Sequence, residues 1–134
     1  MTKNGITICV VDDDLSVCKA LSRLIKSSGF RVKTYGSAQE FLDDDHTGKT
    51  DLLILDVHMP GMNGLDLQNH LMALGYPIPI VFVTAYVDGT TKKKAMEAGA
   101  VAFLQKPFEE ENLLGAIYKG LNLKNTQKED LRWN

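Results

Sequence analysis

Asp12-Asp13-Asp14, Asp56, Thr84 and Lys106 concentrate the reactive chemistry of this chain, and the groups around them follow apolar runs. Asp12 closes the run Ile6 to Val11, and Asp56 closes Leu52-Leu53-Ile54-Leu55. Carboxylates crowded together destabilise one another unless a cation or a proton intervenes. Grouped, they can hold a hard divalent cation such as Mg²⁺, which takes one or two carboxylates together with waters and substrate phosphate. A carboxylate can also attack a phosphoryl group and form an aspartyl phosphate. The transferred group then needs its equatorial oxygens neutralised. The cation can take one, the Thr84 hydroxyl a second, and the Lys106 ammonium the third.

Those residues need a scaffold that brings them together. Strand-like runs are read at Ile6–Val11, Arg31–Tyr35, Leu52–Leu55, Ile78–Val83 and Val101–Leu104, and helical patterns fall between them. Val17, Leu21, Leu24 and Ser28 mark a face of the first helix, and Cys18 shares a stripe with Leu21 and Ile25. Ser37-Ala38-Gln39-Glu40 reads as a capping box opening the second. Leu67, Leu71 and Leu74 mark the third. The fourth is thin, with only Ala95, Met96 and Ala98 to pack among three lysines. Leu113, Ile117 and Leu121 mark the fifth. Gly29, Gly75 and Gly99 stand just past helix ends, where a left-handed cap is wanted. Strict alternation of strand and helix predicts an α/β fold, a doubly wound parallel sheet, in a single domain. A strand that is continuously aliphatic is buried on both faces, and open α/β sheets place their ligands at the C-terminal ends of the strands. Asp12 and Asp13, Asp56, Thr84 and Lys106-Pro107 all lie at such ends.

Composition is that of a globular protein: 134 residues, 44% hydrophobic and 24% charged, with a net charge of −2. That balance implies no basic face for direct nucleic-acid binding. No run is long enough to span a membrane, and the N-terminus lacks the pattern of a signal peptide, so a cytoplasmic location is expected. Cys9 and Cys18 read as buried small hydrophobes. His46, His58 and His70 show no zinc spacing with them. From Asn125 the chain turns polar, and residues 123–134 read as a tail or the start of a linker.

Taken one at a time, each of these residues has an ordinary use. Asp14 is expected to cap the first helix. Thr84 could be a strand residue and Lys106 a loop lysine. The conjunction at successive strand ends is what carries the chemistry.

The segments Val10-Val11-Asp12-Asp13-Asp14, Leu55-Asp56-Val57-His58-Met59-Pro60-Gly61-Met62-Asn63-Gly64, Val83-Thr84-Ala85, Ala98-Gly99-Ala100 and Phe103-Leu104-Gln105-Lys106-Pro107-Phe108 resemble the receiver domain of two-component response regulators. The resemblance covers about residues 5 to 122, and its last block is most similar to the FixJ type with a LuxR-type output domain. It implies a flavodoxin-like (βα)5 sheet of order 2-1-3-4-5, with a receiver over residues 1–122. It further implies that Asp56 accepts a phosphoryl group from a sensor histidine kinase. Asp13, Asp56 and the backbone carbonyl of His58 would bind Mg²⁺ directly, with Asp12 acting through water. Lys106 would contact the phosphoryl group, Thr84 and Phe103 would form the switch, and Lys106-Pro107 would be cis. Ala85 would leave room beside Thr84, while His58 and Tyr86 would flank the path of an attacking water. The fourth helix and fifth strand would then form a face for phosphorylation-dependent homodimers. Such a chain is not a turnover enzyme.

Other functions fit less well. A mononucleotide binder of this fold class wants a Ser/Thr/Gly-rich phosphate loop where three aspartates stand. A phosphatase with an aspartate nucleophile wants a second carboxylate where His58 is. A constitutive receiver-like interaction module, the nearest rival, would be expected to lack Asp56, Thr84 or Lys106.

Overall fold

The computed structural model describes residues 5–44 and 47–133. Side chains are described through residue 122, Thr47 excepted. Its elements are β1 (Thr7–Val11), α1 (Leu15–Ser27), β2 (Arg31–Tyr35), α2 (Ala38–Asp43), a 3₁₀ turn (Thr47–Lys49), β3 (Leu52–Asp56), α3 (Gly64–Ala73), β4 (Ile80–Thr84), α4 (Gly89–Glu97), β5 (Ala102–Gln105) and α5 (Glu110–Trp133). All strand pairs are parallel and the sheet order is β2-β1-β3-β4-β5. This is the doubly wound (βα)5 topology expected from the alternation of elements and from the receiver resemblance. His46 and Asn134 lie outside the described residues, as do the side chains of the expected tail, whose backbone through Trp133 continues α5.

Successive strand residues point to opposite faces, so each central strand feeds two cores. Ile8, Val10, Leu52, Ile54, Val81 and Val83 pack beneath α1 and α5, against Leu21, Ile25, Leu113 and Ile117. Cys9, Val11, Leu53, Leu55 and Phe82 pack on the other face, against Phe41, Leu67, Leu71 and Ala95 from α2, α3 and α4. Burial on both faces explains why β3 and β4 are buried along their whole length. β2, at the edge, exposes Arg31 and Lys33, charges that discourage pairing with another sheet. Cys9 and Cys18 are buried and free. Burial raises both thiol pKa values above their ordinary range and keeps the thiols protonated.

Local chemistry sets the boundaries. Asp14 caps α1, its carboxylate accepting the Ser16 N–H at 2.9 Å. Ser37 caps α2 by accepting the Glu40 N–H at 3.1 Å, but Glu40 reaches back one residue further than a capping box requires, to the Gly36 N–H at 2.7 Å. The reciprocal box lies instead at Asn63 and Asp66, opening α3. Gly29, Gly75 and Gly99 adopt the expected positive φ of 95°, 78° and 100°. β4 starts at Ile80, not Ile78, because Pro79 has no N–H to donate, although its carbonyl accepts the Leu53 N–H at 2.9 Å.

Two packing expectations fail. Leu74 follows the last helical residue of α3, past the turn that would carry it inward, and is 52% exposed; the amide of Gln68 is buried in α3 instead. Met96 is 40% exposed, leaving Ala95 as the one buried residue of α4. Leu71→Ala is therefore expected to destabilise the domain by about 2–4 kcal/mol through lost burial and a residual cavity. Leu74→Ala is expected to change stability by less than about 0.5 kcal/mol. Urea denaturation of the two variants checks this, and equal losses would place Leu74 in the core.

Candidate functional site

The parallel register aligns the strand ends. Val11 pairs with Leu55, Asp56 with Val83, and Thr84 with Gln105. Asp12 and Asp13 from the β1–α1 loop are thereby set beside Asp56, and one carboxylate oxygen from each lies within 4.8 Å of the others. Asp12 is fully buried, Asp56 is 6% exposed, and Asp13 faces solvent. A buried charge needs a partner, and Lys106 is that partner. Its ammonium donates to Asp12 Oδ2 at 2.7 Å and to Asp56 Oδ2 at 3.5 Å. The Asp14 N–H donates to Asp12 Oδ1 at 2.9 Å, and the His58 N–H donates to Asp56 Oδ1 at 3.3 Å. The Lys106-Pro107 peptide is cis, as expected.

The electrostatics are uneven. Burial, and then the neighbouring Asp12 carboxylate, push the Asp56 carboxyl above its ordinary pKa, more than Lys106 and the His58 N–H pull it down. For Lys106, burial alone favours the neutral form, but the hydrogen bond and charge of Asp12, then Asp56, outweigh it and hold the ammonium above its usual pKa. Lys106 is thus charged and Asp56 is an under-stabilised carboxylate. An all-oxygen donor set with surplus negative charge suits a hard divalent cation, so the residues present fit Mg²⁺.

The other expected residues surround this cluster. Thr84 is fully buried; its hydroxyl donates to the Tyr86 carbonyl at 3.2 Å and accepts the Tyr86 N–H at 3.4 Å. Phe103 is half-buried and packs on Phe82, ring centroids 5.8 Å apart. Ala85 is exposed. The exposed rings of His58 and Tyr86 meet edge to face at 6.0 Å, joining the loop after β3 to the loop after β4.

Some site residues were not legible as such in the sequence. A Cβ built on Gly64 would overlap the Asp56 carbonyl oxygen and stand 3.0 Å from Val57 Cα, so only glycine lets α3 start against the strand end that carries Asp56. The Gly64 N–H donates to the Val57 carbonyl at 2.9 Å. The Cys18 thiol donates to the Asp12 carbonyl at 3.3 Å. Asp88 caps α4 through the Thr91 N–H and hydroxyl, both at 2.8 Å. Asp88-Gly89-Thr90-Thr91 held that signal, a carboxylate three residues before a threonine.

The family model for the response regulator receiver domain matches residues 8–118. The chain belongs to the response regulator receiver family. Response regulator protein TmoT of Ectopseudomonas mendocina is 50% identical over 97% of this chain and 59% of its own length. Transcriptional regulatory protein FixJ of Bradyrhizobium diazoefficiens is 38% identical over 87% of the chain and 57% of its own length. The chain thus spans little more than half of those relatives. The solved structure of response regulator StyR superposes with a TM-score of 0.87 at 44% identity, covering 96% of this receiver and 65% of that chain. Among the described residues of this receiver, no helix is long and apolar enough to cross a membrane.

The raised Asp56 pKa has a consequence for stability with a definite sign. Unfolded, Asp56 ionises near pH 4; folded, it ionises at higher pH, so its contribution to stability falls as pH rises through that window and is lowest above it. In chelator at pH 7, Asp56→Asn is expected to melt a few degrees above the parent, with the gap closing as pH falls to about 4. Adding Mg²⁺ should raise the parent's Tm more than the variant's. Thermal melts over pH check this, and a variant less stable at pH 7 in chelator would show that Lys106 already balances both carboxylates.

Proposed function

We propose that this receiver takes a phosphoryl group from a sensor histidine kinase onto Asp56, with Mg²⁺, and thereby switches a face that controls a transcriptional output domain. The observation carrying this reading is the ammonium of Lys106 bridging buried Asp12 and Asp56 in a three-carboxylate cluster. Asp13, Asp56 and the carbonyl of His58 would hold the metal, with Asp12 acting through water. The ion would supply neutralisation of the acidic cluster and of the incoming phosphoryl oxygens.

The chain's own groups then have distinct tasks. An Asp56 carboxylate oxygen attacks phosphorus, the bond to the donor breaks, and the donor leaves with its electron pair. Lys106, already charged and beside Asp56, takes one phosphoryl oxygen without any proton transfer. The Thr84 hydroxyl turns from the Tyr86 carbonyl to another oxygen, with Ala85 leaving room beside it. Space opens behind Thr84, Phe103 rotates inward, and the α4–β5 face changes population. An apolar groove of about 530 Å³ between α1 and the β5–α5 loop, lined by Val17, Leu21, Leu24, Pro107 and Phe108, opens beside Lys106. The chain promotes phosphorylation and dephosphorylation of its own Asp56 and turns over no separate substrate.

Intact-mass analysis after incubation with a small phosphodonor and Mg²⁺ is expected to show a single phosphoryl addition. It should be absent in Asp56→Asn and in excess chelator. Labelling of the Asn variant would remove Asp56 as acceptor. The labelled protein is expected to sediment as a weak dimer through α4 and β5; an unchanged mass at high concentration counts against that face.

The His58–Tyr86 ring pair should slow hydrolysis by excluding the in-line water. His58→Ala and Tyr86→Ala are each expected to shorten the phosphoryl lifetime several-fold. A longer lifetime in His58→Ala would mean that the imidazole orients the water, and no change in either variant would dismiss both roles.

A further inference from the structure

The helix that must move for the face to switch is held very differently at its two ends. Along α4 only Ala95 is buried, while Lys92, Lys93 and Lys94 all face solvent. Few buried contacts mean low local stability. At the N-terminal end the helix joins the loop Ala85 to Asp88. That loop is tied to the site by the Thr84 hydroxyl through the Tyr86 backbone, and Asp88 caps the first turn.

The C-terminal end is built otherwise. The Ala95 carbonyl belongs to the last turn, whose oxygens lack partners within a helix. It accepts the Ala100 N–H at 3.1 Å, while Gly99, at φ 100°, donates to the Met96 carbonyl at 3.0 Å; together these close the end of the helix. The same Ala95 carbonyl also accepts the side-chain amide of Gln68 at 3.1 Å. Gln68 is 3% exposed and stands on α3 between Leu67 and Leu71 side chains that are fixed in the core. A buried amide in an otherwise apolar interface destabilises the fold unless it is bonded, so this bond is held strongly. It is also the one side-chain hydrogen bond between α3 and α4 among the described residues.

We propose that Gln68 anchors the C-terminal end of α4 to α3, so that α4 responds to the site as a lever pivoting about Ala95. Its N-terminal end swings and its C-terminal end stays in place. When the Thr84 hydroxyl leaves the Tyr86 carbonyl, the loop of residues 85–88 loses a tie and the first turns of α4 follow it. The bond from Gln68 stops that motion from running through Gly99 and Ala100 into β5. Gln68 is a positioning residue, acting on the output face through α4 and touching no reacting atom. The anchor itself is independent of phosphorylation, while the swing rests on Asp56 being the phosphoacceptor.

Hydrogen exchange of the whole chain, followed by peptide, tests both parts. Gln68→Met keeps the bulk without the donor. Gln68→Asn keeps the amide on an arm one methylene shorter, so the tether is lost in a polar variant as well as an apolar one. The bulk-preserving Met variant guards against reading a packing defect as a lost tether. In unphosphorylated protein, both variants are expected to exchange roughly five- to tenfold faster than the parent at residues 95–100, the scale of one buried hydrogen bond, with exchange in β3 unchanged. Parental exchange at residues 95–100 in both variants would overturn the anchor. For the swing, the parent carrying a phosphoryl group, verified by mass, is expected to change exchange at residues 85–92 and to leave 95–100 as before. In Gln68→Met the change should spread through residue 100. Equal change at both ends of α4 in the phosphorylated parent would overturn the lever. Failure to label at Asp56 would instead fall on the phosphoacceptor reading, and the comparison of unphosphorylated proteins would still decide the anchor.

Discussion

A carboxylate held away from water must be compensated, and the site is organised around the single group that does so. Lys106 reaches from the end of β5 across the tips of β4 and β3 to Asp12, and it touches Asp56 on the way. Its ammonium is closer to the fully buried carboxylate than to the more accessible one. Asp12 is thereby locked, while Asp56 is left with burial and a like-charged neighbour and too little to offset them. In the proposed function, that imbalance would keep Asp56 available as the nucleophile. A carboxylate fully satisfied by Lys106 and backbone N–H groups would be a poor nucleophile and would have little use for a cation.

The scaffold tolerates this because the burden falls on a sheet covered on both faces. Each strand places alternate side chains into two separate cores, and the rigid centre, β1, β3 and β4, carries the charged tips. Close approach is needed where α3 starts against the chain at Asp56 and Val57, and Gly64 supplies it by having no side chain. Asn63 and Asp66 then lock the start of α3 with a reciprocal cap, so the loop carrying His58 is held between two fixed points.

The opposite policy holds after β4. There the loop hangs from one threonine hydroxyl and leads to a helix with one buried residue. Thr84 is connected both to the site and to the loop, and its hydroxyl cannot serve the Tyr86 carbonyl and a phosphoryl oxygen at once. Competition for a single proton donor is a simple way to convert a covalent change at one strand tip into a backbone change at the next. In the proposed switch, the basic residues of α4 would be carried on the surface with that movement, and their change of position would alter the charge presented to a partner.

Much of this could be read directly from the chain. Continuous aliphatic runs gave the buried parallel strands, glycines past helix ends gave the left-handed caps, and Asp14 announced the start of α1. Residue types at strand ends, Asp12, Asp13, Asp56, Thr84 and Lys106, marked a candidate site, and the doubly wound topology brings them to one edge of the sheet. What pattern could not say was which pairs form. Lys106 binds Asp12 more closely than Asp56, Glu40 turns back to Gly36, and the rings of His58 and Tyr86 meet across two loops. Leu74 and Met96 match a helical stripe yet face solvent, while polar Gln68 is buried. Local periodicity decides which side of a helix is apolar, but where that helix ends and what it packs against decide which of those residues are covered. Distances between groups far apart in sequence are set by strand register and by the seating of helices on the sheet, and those exist only once the chain has folded.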